Sequence, residues 1–292
     1  MRHFIKLIRV KEWMKNSFLF LPAFFAGDIF NVHDLLRIAA GALAFSFVAS
    51  SIYIINDYND REVDRIHPKK KHRPIASGAV KPSSALVLMV VLALVGFGMA
   101  FMIDEWFFGI LMGYFIMNLL YSSGLKNVPI LDLFIVALGF IFRTYSGGVI
   151  ANIVVSSWLA IMIFLLALFL IIAKRRDDLV IHSKTGEMVR KSSASYNLEF
   201  INSCLTLVCA VIIVAYIMYT QSPEVTQRWH THYLFATAIF VVAGVMRYLQ
   251  IVFVEKDSGS PTSVLYRDKF ILITILGWII SFYIIIYAGL PA

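Results

Sequence analysis

The sequence Asn56-Asp57-Tyr58-Asn59-Asp60-Arg61-Glu62-Val63-Asp64 is followed by the basic run His67-Pro68-Lys69-Lys70-Lys71-His72-Arg73-Pro74. Both come directly after residues 35–55, an apolar segment long enough to cross the hydrocarbon core of a bilayer. Carboxylates of this kind bind metal ions, and clustered cations bind phosphates. Their combination at a membrane surface predicts a membrane enzyme that handles a diphosphate.

The composition supports a membrane location for the whole chain. Of its 292 residues, 60% are hydrophobic and only 15% are charged. Soluble domains have about 25% charged residues. We therefore expect residues 1–292 to form a single polytopic domain in the plasma (inner) membrane, with no nucleic-acid partner.

Nine apolar segments are long enough to be membrane-spanning helices. Their predicted ranges are 17–33, 35–55, 84–103, 105–121, 130–150, 155–173, 200–220, 232–254 and 269–289. The first is interrupted by Pro22 and Gly27, and only Ile103-Asp104-Glu105 separates the third from the fourth. The sequence predicts an all-α integral membrane protein with nine transmembrane helices.

The distribution of basic residues predicts the orientation. Nearly all of the 26 lysines and arginines lie before the first span or in loops 2–3, 4–5, 6–7 and 8–9. Short loops rich in lysine and arginine remain in the cytoplasm. We expect a cytoplasmic N-terminus, an extracytoplasmic C-terminus and an active site that faces the cytoplasm.

The acidic residues Asp57, Asp60 and Asp64 are spaced i, i+3, i+7 and share one face if the second helix continues past the bilayer. Clustered carboxylates repel each other unless a cation joins them, and Mg²⁺ prefers such oxygen ligands and also binds phosphates. Asn56 adds a neutral oxygen to this predicted magnesium site. The alternative is a solvated helix end with i,i+4 charge pairs such as Asp57 with Arg61.

Lys70 and Arg73 in the basic run are predicted to offset the negative charge of a phosphorylated ligand. The alternative is a patch that binds anionic lipid headgroups. The other candidate substrate-binding residues are polar side chains within or beside the predicted spans: Lys15, Tyr53, Tyr121, Lys126, Arg143, Lys174 and Arg175. For the lysines and Arg175 the alternative is a topogenic or anchoring charge, and for Arg143 a structural ion pair.

The motif Asn56-Asp57-x-x-Asp60-x-x-x-Asp64 resembles the first aspartate motif of the UbiA superfamily of intramembrane prenyltransferases. The resemblance covers essentially the whole chain and implies a nine-helix bundle with a cytoplasm-facing cavity and a Mg²⁺-bound diphosphate. Several segments resemble the decaprenyl-phosphate phosphoribosyltransferase branch: Lys15-Asn16, Tyr53 to Asp57, His67-Pro68, Arg73 to Gly78, Arg143 and Lys174-Arg175-Arg176.

The resemblance implies Mg²⁺-dependent transfer of 5-phosphoribose from phosphoribosyl diphosphate (PRPP) to a polyprenyl (decaprenyl) phosphate, a step in cell-wall precursor biosynthesis. It implies catalytic roles for Asp57, Asp60 and Asp64 around the metal and a sugar or phosphate contact for Tyr53. Oligomeric state does not follow from the sequence.

Two other functions stay open at this stage. An aromatic prenyltransferase of quinone-type biosynthesis would use a polyprenyl diphosphate and has an Asp-rich motif after helix 6, where this chain has Lys174-Arg175-Arg176-Asp177-Asp178. A transporter or lipid-binding scaffold places polar groups near the bilayer midplane, whereas most polar groups of this chain cluster at one face.

Overall fold

The structure is a computed structural model that describes residues 2–66, 70–185, 195–255, 264 and 267–287. Within these ranges every regular element is a helix. The α-helices are α1 Arg2–Ile8, α2 Leu21–Ala26, α3 Val32–Asn59, α4 Arg61–Ile66, α5 Pro82–Ile103, α6 Glu105–Ser123, α7 Leu131–Ile150, α8 Ser157–Thr185, α9 Leu198–Thr220, α10 Pro223–Trp229, α11 Ala238–Gln250 and α12 Lys269–Tyr287. There are also 3₁₀ helices at Val10–Phe20, Lys70–His72, Leu125–Asn127 and Tyr233–Thr237, and a π-helix at Ile251–Glu255.

Eight helical segments of the described chain are long and apolar enough to cross a membrane. They correspond to the second through ninth predicted spans, and an all-helical multi-pass membrane protein is confirmed. Asp104 alone separates the helices of the third and fourth predicted spans, and its carboxylate accepts hydrogen bonds from the N–H groups of Trp106 and Phe107. The largest difference between a predicted span and its helix is at α8, which continues to Thr185, whereas the predicted span ends at residue 173.

The first predicted span has a different local structure. The 3₁₀ helix Val10–Phe20 is followed directly by α2, which ends at Gly27 with φ of 79°. Rises of about 2.0 Å per residue in a 3₁₀ helix and 1.5 Å in an α-helix give residues 10–26 a length of about 31 Å, close to the thickness of the hydrocarbon core. A ninth crossing therefore stays a prediction, as does the single-domain organisation.

The described residues of 1–125 and 139–155 form one compact unit. Helix α3 packs against α5, α6 and the 3₁₀ helix Val10–Phe20. A cluster of buried apolar side chains joins Leu7 of α1 to Ile54 of α3 and to Ile75 and Val80 of the loop before α5. This cluster holds the N-terminal helix and the loop containing Arg73 against the end of α3 that carries the acidic motif.

One glycine permits a close helix approach in this unit. A Cβ atom on Gly147 of α7 would lie 1.8 Å from the carbonyl oxygen of Leu19. Any larger residue would push the 3₁₀ helix away from α7. Gly147 thus allows the backbone of α7 to lie directly against the backbone of the 3₁₀ helix at Leu19.

The described residues of 126–138 and 156–287 form the other compact unit. Helix α8 packs against α9, and α11 packs against α9 and α12. Trp278 donates a hydrogen bond of 2.7 Å to the Tyr216 hydroxyl, which lies 2.6 Å from Thr237 Oγ1. Because lipid does not drive apolar helix faces together, such polar contacts and close packing hold membrane helices in register.

Candidate active site

The acidic motif lies where α3 gives way to α4. Helical hydrogen bonds continue through this junction, from Asp60 N to Asn56 O at 2.9 Å and from Asp64 N to Asp60 O at 2.8 Å. Asp57 and Asp64 are each 2% exposed, whereas Asp60 and Asn56 are partly buried. The predicted helical spacing is therefore kept, and two of the three carboxylates point into the protein.

Two arginines neutralise the buried carboxylates. Arg9 Nη2 lies 2.5 Å from Asp57 Oδ1, and Arg73 Nη1 lies 3.1 Å from the same oxygen and 2.7 Å from Asp64 Oδ2. The Arg9 guanidinium also lies 4.8 Å from the centre of the Tyr53 ring. The four charged groups form one neutral cluster, which we call the acid–arginine cluster: Arg9, Asp57, Asp64 and Arg73.

The charge pair between Asp57 and Arg61, which the alternative of a solvated helix end would require, is not formed. Arg61 instead donates to the Tyr58 carbonyl at 2.8 Å and lies 3.4 Å from Glu62. The motif is thus not a solvated helix end held by local pairs.

Only Lys70 to Pro74 of the predicted basic run lie within the described residues. His67, Pro68 and Lys69 lie outside the described residues. Lys70 begins a short 3₁₀ turn and is partly buried, and Arg73 N bonds to its carbonyl at 2.9 Å. Lys6 of α1 donates to the His72 carbonyl at 3.3 Å, which fixes this turn to the N-terminal helix.

A second polar cluster lies in the same unit around Arg143. Its Nε donates to Asn16 Oδ1 at 2.8 Å, Nη1 to the Gly139 carbonyl at 2.7 Å, and Nη2 to the Tyr114 hydroxyl at 3.2 Å. The Arg143 side chain, 4% exposed, also lies against the faces of Phe45 and Tyr114.

Hydrogen bonds and aromatic rings thus stabilise the Arg143 charge, and no ion pair to it is formed by a carboxylate of the described residues. Lys15, next to Asn16, pairs with Glu12 at 2.6 Å. Tyr53 and Tyr121 are partly buried in this unit.

The other unit contains a buried network of ion pairs and hydrogen bonds around Asp132. Asp132 was not among the site residues predicted from the sequence. Arg175 Nη2 lies 2.6 Å from Asp132 Oδ2, and its Nη1 lies 3.4 Å from Asp178 Oδ2. Tyr196 donates to Asp132 Oδ1 at 3.1 Å and accepts a hydrogen bond from the Ile130 N–H. Burial and the neighbouring Asp132 carboxylate raise the pKa of Tyr196.

Three predicted phosphate-binding residues belong to this unit. Lys126 is partly buried in the 3₁₀ turn Leu125–Asn127, and Lys174 is exposed on α8. Arg175 is 3% exposed and is engaged by the two carboxylates. Its predicted role as a phosphate ligand stays a prediction.

Comparison with known proteins identifies the class to which this arrangement belongs. The profile of the UbiA prenyltransferase family matches residues 17–185. The chain belongs to the UbiA prenyltransferase family. It is thus a membrane transferase, and the predicted family is confirmed.

This UbiA protein is similar to curated enzymes and to solved structures along most of its length. It is 31% identical to the decaprenyl-phosphate phosphoribosyltransferase of Corynebacterium glutamicum, over 97% of this chain and 86% of that one. It is 30% identical to the enzyme of the same name from Mycolicibacterium smegmatis, over 94% and 89%. Its fold matches a UbiA homologue from Archaeoglobus fulgidus bound to DMAPP and Mg²⁺, with a TM-score of 0.72, 21% identity, and coverage of 97% and 98%.

The acid–arginine cluster of this UbiA protein fits a divalent cation by its donor chemistry. Mg²⁺ prefers carboxylate and amide oxygens. Asp57 and Asp64 of the cluster supply carboxylates, and the neighbouring Asp60 and Asn56 add a carboxylate and an amide oxygen. One Arg73 nitrogen already contacts both Asp57 and Asp64, so the two carboxylates surround a point of positive charge. No cluster of three or more acidic, histidine or cysteine ligands has formed among the described residues.

Arg9 is the cluster member that the sequence did not single out. It is 48 residues from Asp57, and in the sequence it looks like one of several N-terminal topogenic charges. Only its backbone is distinctive, with φ of 54° at a residue other than glycine. No sequence pattern marks that conformation.

Proposed function

We propose that this UbiA-family enzyme transfers 5-phosphoribose from PRPP to a polyprenyl phosphate such as decaprenyl phosphate, in a Mg²⁺-dependent reaction that releases diphosphate. The observation that carries the proposal is the identity of about 30% to decaprenyl-phosphate phosphoribosyltransferases along nearly the whole chain. The acid–arginine cluster adds the chemistry that a diphosphate donor requires.

The reaction exchanges one C–O bond for another. The bond between the anomeric carbon of PRPP and the diphosphate oxygen breaks, and the diphosphate leaves with the electron pair. A phosphate oxygen of the lipid forms the new bond to that carbon. The acceptor phosphate is already anionic, so the chemistry needs no strong general base, in keeping with a cluster built from aspartates and arginines.

The proposed residue roles rest on the charge of each side chain and on its place in the sequence motifs. Asn56, Asp57, Asp60 and Asp64 would hold Mg²⁺, which when bound offsets charge on the departing diphosphate. Lys70 and Arg73 would bind diphosphate oxygens. The remaining phosphates and hydroxyls would be bound by Lys15, Tyr53, Tyr121, Lys126, Arg143, Lys174 and Arg175.

The proposed orientation keeps this chemistry in the cytoplasm. Nine crossings would place the two termini on opposite sides of the membrane, and the positive charge of the alternate loops would keep the N-terminus in the cytoplasm. The length of about 31 Å for residues 10–26 supports the first of these crossings.

The test is incubation of purified protein with Mg²⁺, PRPP and decaprenyl phosphate, followed by mass spectrometry of the lipid fraction. We expect a mass increase equal to one phosphoribosyl group. A parallel reaction contains a polyprenyl diphosphate and 4-hydroxybenzoate. Prenylation there, with no phosphoribosylated lipid in the first reaction, would overturn the proposal in favour of an aromatic prenyltransferase.

A further inference from the structure

Arg9 connects the N-terminal helix to the acidic motif through an unusual backbone. It lies between α1 and the 3₁₀ helix Val10–Phe20, with φ of 54° and ψ of 51°. Left-handed conformations cost non-glycine residues about 1 kcal/mol or more and persist where surrounding contacts impose them. Here the contacts are the Asp57 carboxylate, the Tyr53 ring and the burial of Leu7 two residues earlier.

Arg9 and Arg73 converge on a single oxygen. Both approach Asp57 Oδ1, at 2.5 Å and 3.1 Å, and Arg73 also contacts Asp64 Oδ2. The side chains of Arg9 and Arg73 are 28% and 27% exposed, whereas the side chains of Asp57 and Asp64 are 2% and 3% exposed. The two cations therefore lie between the buried carboxylates and solvent.

A metal ion and these arginines compete for the same lone pairs. Mg²⁺ bound to Asp57 and Asp64 would place a double positive charge beside two guanidinium groups in a poorly solvated site, where like charges repel strongly. A diphosphate removes this conflict, because its oxygens can accept hydrogen bonds from both guanidinium groups.

We propose that Arg9 and Arg73 are exchangeable counter-ions of the metal site: without substrate they cap Asp57 and Asp64, and on arrival of the metal and diphosphate they turn to the diphosphate oxygens. This inference rests on the proposed function for its metal–diphosphate donor, and it adds Arg9 as a diphosphate-binding residue. The exchange requires only that the two arginine side chains rotate, since each side chain is more than a quarter exposed.

The exchange makes metal and diphosphate binding cooperative. The metal alone must displace the arginines from the carboxylates, whereas with diphosphate the displaced arginines gain new partners. By linkage, the factor by which diphosphate tightens metal binding equals the factor by which metal tightens diphosphate binding. We expect this factor to be about tenfold or more in the wild-type protein, within the usual range for coupled sites.

The experiment measures the binding of Mn²⁺, as a paramagnetic substitute for Mg²⁺, by electron paramagnetic resonance on purified protein in nanodiscs. Titrations are run with and without a saturating concentration of inorganic diphosphate, and free Mn²⁺ is corrected for Mn²⁺–diphosphate complexes. The variants are Arg9→Gln and the control Arg61→Gln, which removes the same charge beside the motif without touching Asp57. Arg9→Gly is a second test variant, because glycine readily adopts a φ of 54° and keeps the chain foldable.

We expect Arg9→Gln and Arg9→Gly to bind Mn²⁺ alone about 3- to 10-fold more tightly than the wild-type protein. The factor by which diphosphate tightens Mn²⁺ binding should fall at least about threefold in both variants. Arg61→Gln should keep the wild-type coupling. The proposal would be overturned if the coupling were unchanged in both Arg9 variants, or if Arg61→Gln changed it equally. It would also be overturned if the wild-type protein bound no Mn²⁺ in the presence of diphosphate. This binding assay contains neither PRPP nor lipid. Its result can therefore be interpreted even if the protein does not transfer phosphoribose.

Discussion

Arg175 Nη2 lies 2.6 Å from Asp132 Oδ2, and both side chains are almost completely buried, at 4% and 0% exposure. A buried ion pair of this kind contributes little net stability compared with a well-packed apolar pair, but losing one partner leaves an uncompensated charge. The pair therefore behaves as a structural unit, and substitutions within it can separate structural from ligand-binding roles of Arg175.

Asp132→Asn should destabilise the protein by about 3 kcal/mol, because the buried Arg175 charge loses its nearer carboxylate and keeps the longer contact of 3.4 Å to Asp178. The double variant Asp132→Leu with Arg175→Met should recover much of that loss, and thermal unfolding in detergent measures both. If the double variant is stable and keeps the wild-type KM for PRPP, Arg175 is not a phosphate ligand. A KM that rises about tenfold or more in a stable double variant supports the predicted ligand role.

Tyr196 should make stability depend on alkaline pH. Burial, as the largest cause, and the Asp132 carboxylate raise the pKa of Tyr196 above its ordinary value of 10.0. The unfolded chain therefore loses this proton first, so the contribution to stability is complete below about pH 10 and is lost as the pH rises toward the folded-state pKa.

Melting temperatures measured from pH 8 to about 11 should therefore fall more steeply for wild type than for Tyr196→Phe. At neutral pH the variant should be less stable by about 1 kcal/mol, since it loses the hydrogen bond to Asp132. Parallel pH curves for the two proteins would show that Tyr196 does not contribute in this way.

Gly147→Ala should displace the 3₁₀ helix that carries Lys15 and Asn16, because the added methyl group meets the Leu19 carbonyl at 1.8 Å. We expect a loss of about 1–3 kcal/mol in unfolding free energy together with reduced activity. The matched control is Gly98→Ala in α5, where nothing lies within 4 Å of the added carbon and the helix should gain up to about 1 kcal/mol. Equal melting temperatures for the two variants would contradict the close approach.

Asp60→Asn should reduce transferase activity at limiting Mg²⁺ by at least about tenfold, a typical cost of disturbing a metal site. Raising the Mg²⁺ concentration should restore part of the rate. Glu62→Gln is the control, because Glu62 lies two residues away and pairs with Arg65 at 2.7 Å. Full activity of Asp60→Asn at limiting Mg²⁺ would remove Asp60 from the metal site.

The helices could be predicted from the sequence because span length and apolar composition are local properties. Helices α5, α6 and α7 begin within two residues of their predicted starts. The 3₁₀ geometry of Val10–Phe20 could not be predicted, because hydropathy does not distinguish a 3₁₀ from an α-helix and Gly147 lies far away in sequence.

The site could be predicted only where its residues are neighbours in sequence. Asp57, Asp60 and Asp64 form a recognisable helical pattern, and Arg73 follows them closely. Arg9 was missed because its contact with Asp57 is a tertiary one. Asp132 was missed because it is a single carboxylate at the start of an apolar helix, and its partner Arg175 is 43 residues away.

The most direct test of the central claim is the stoichiometry of products formed by purified wild-type protein from PRPP and decaprenyl phosphate in the presence of Mg²⁺. One diphosphate should be released for each phosphoribosylated lipid detected by mass spectrometry, and both should disappear on removal of Mg²⁺ or in Asp57→Asn. Diphosphate release without a phosphoribosylated lipid, or equal product in Asp57→Asn, would contradict phosphoribosyl transfer at the acid–arginine cluster.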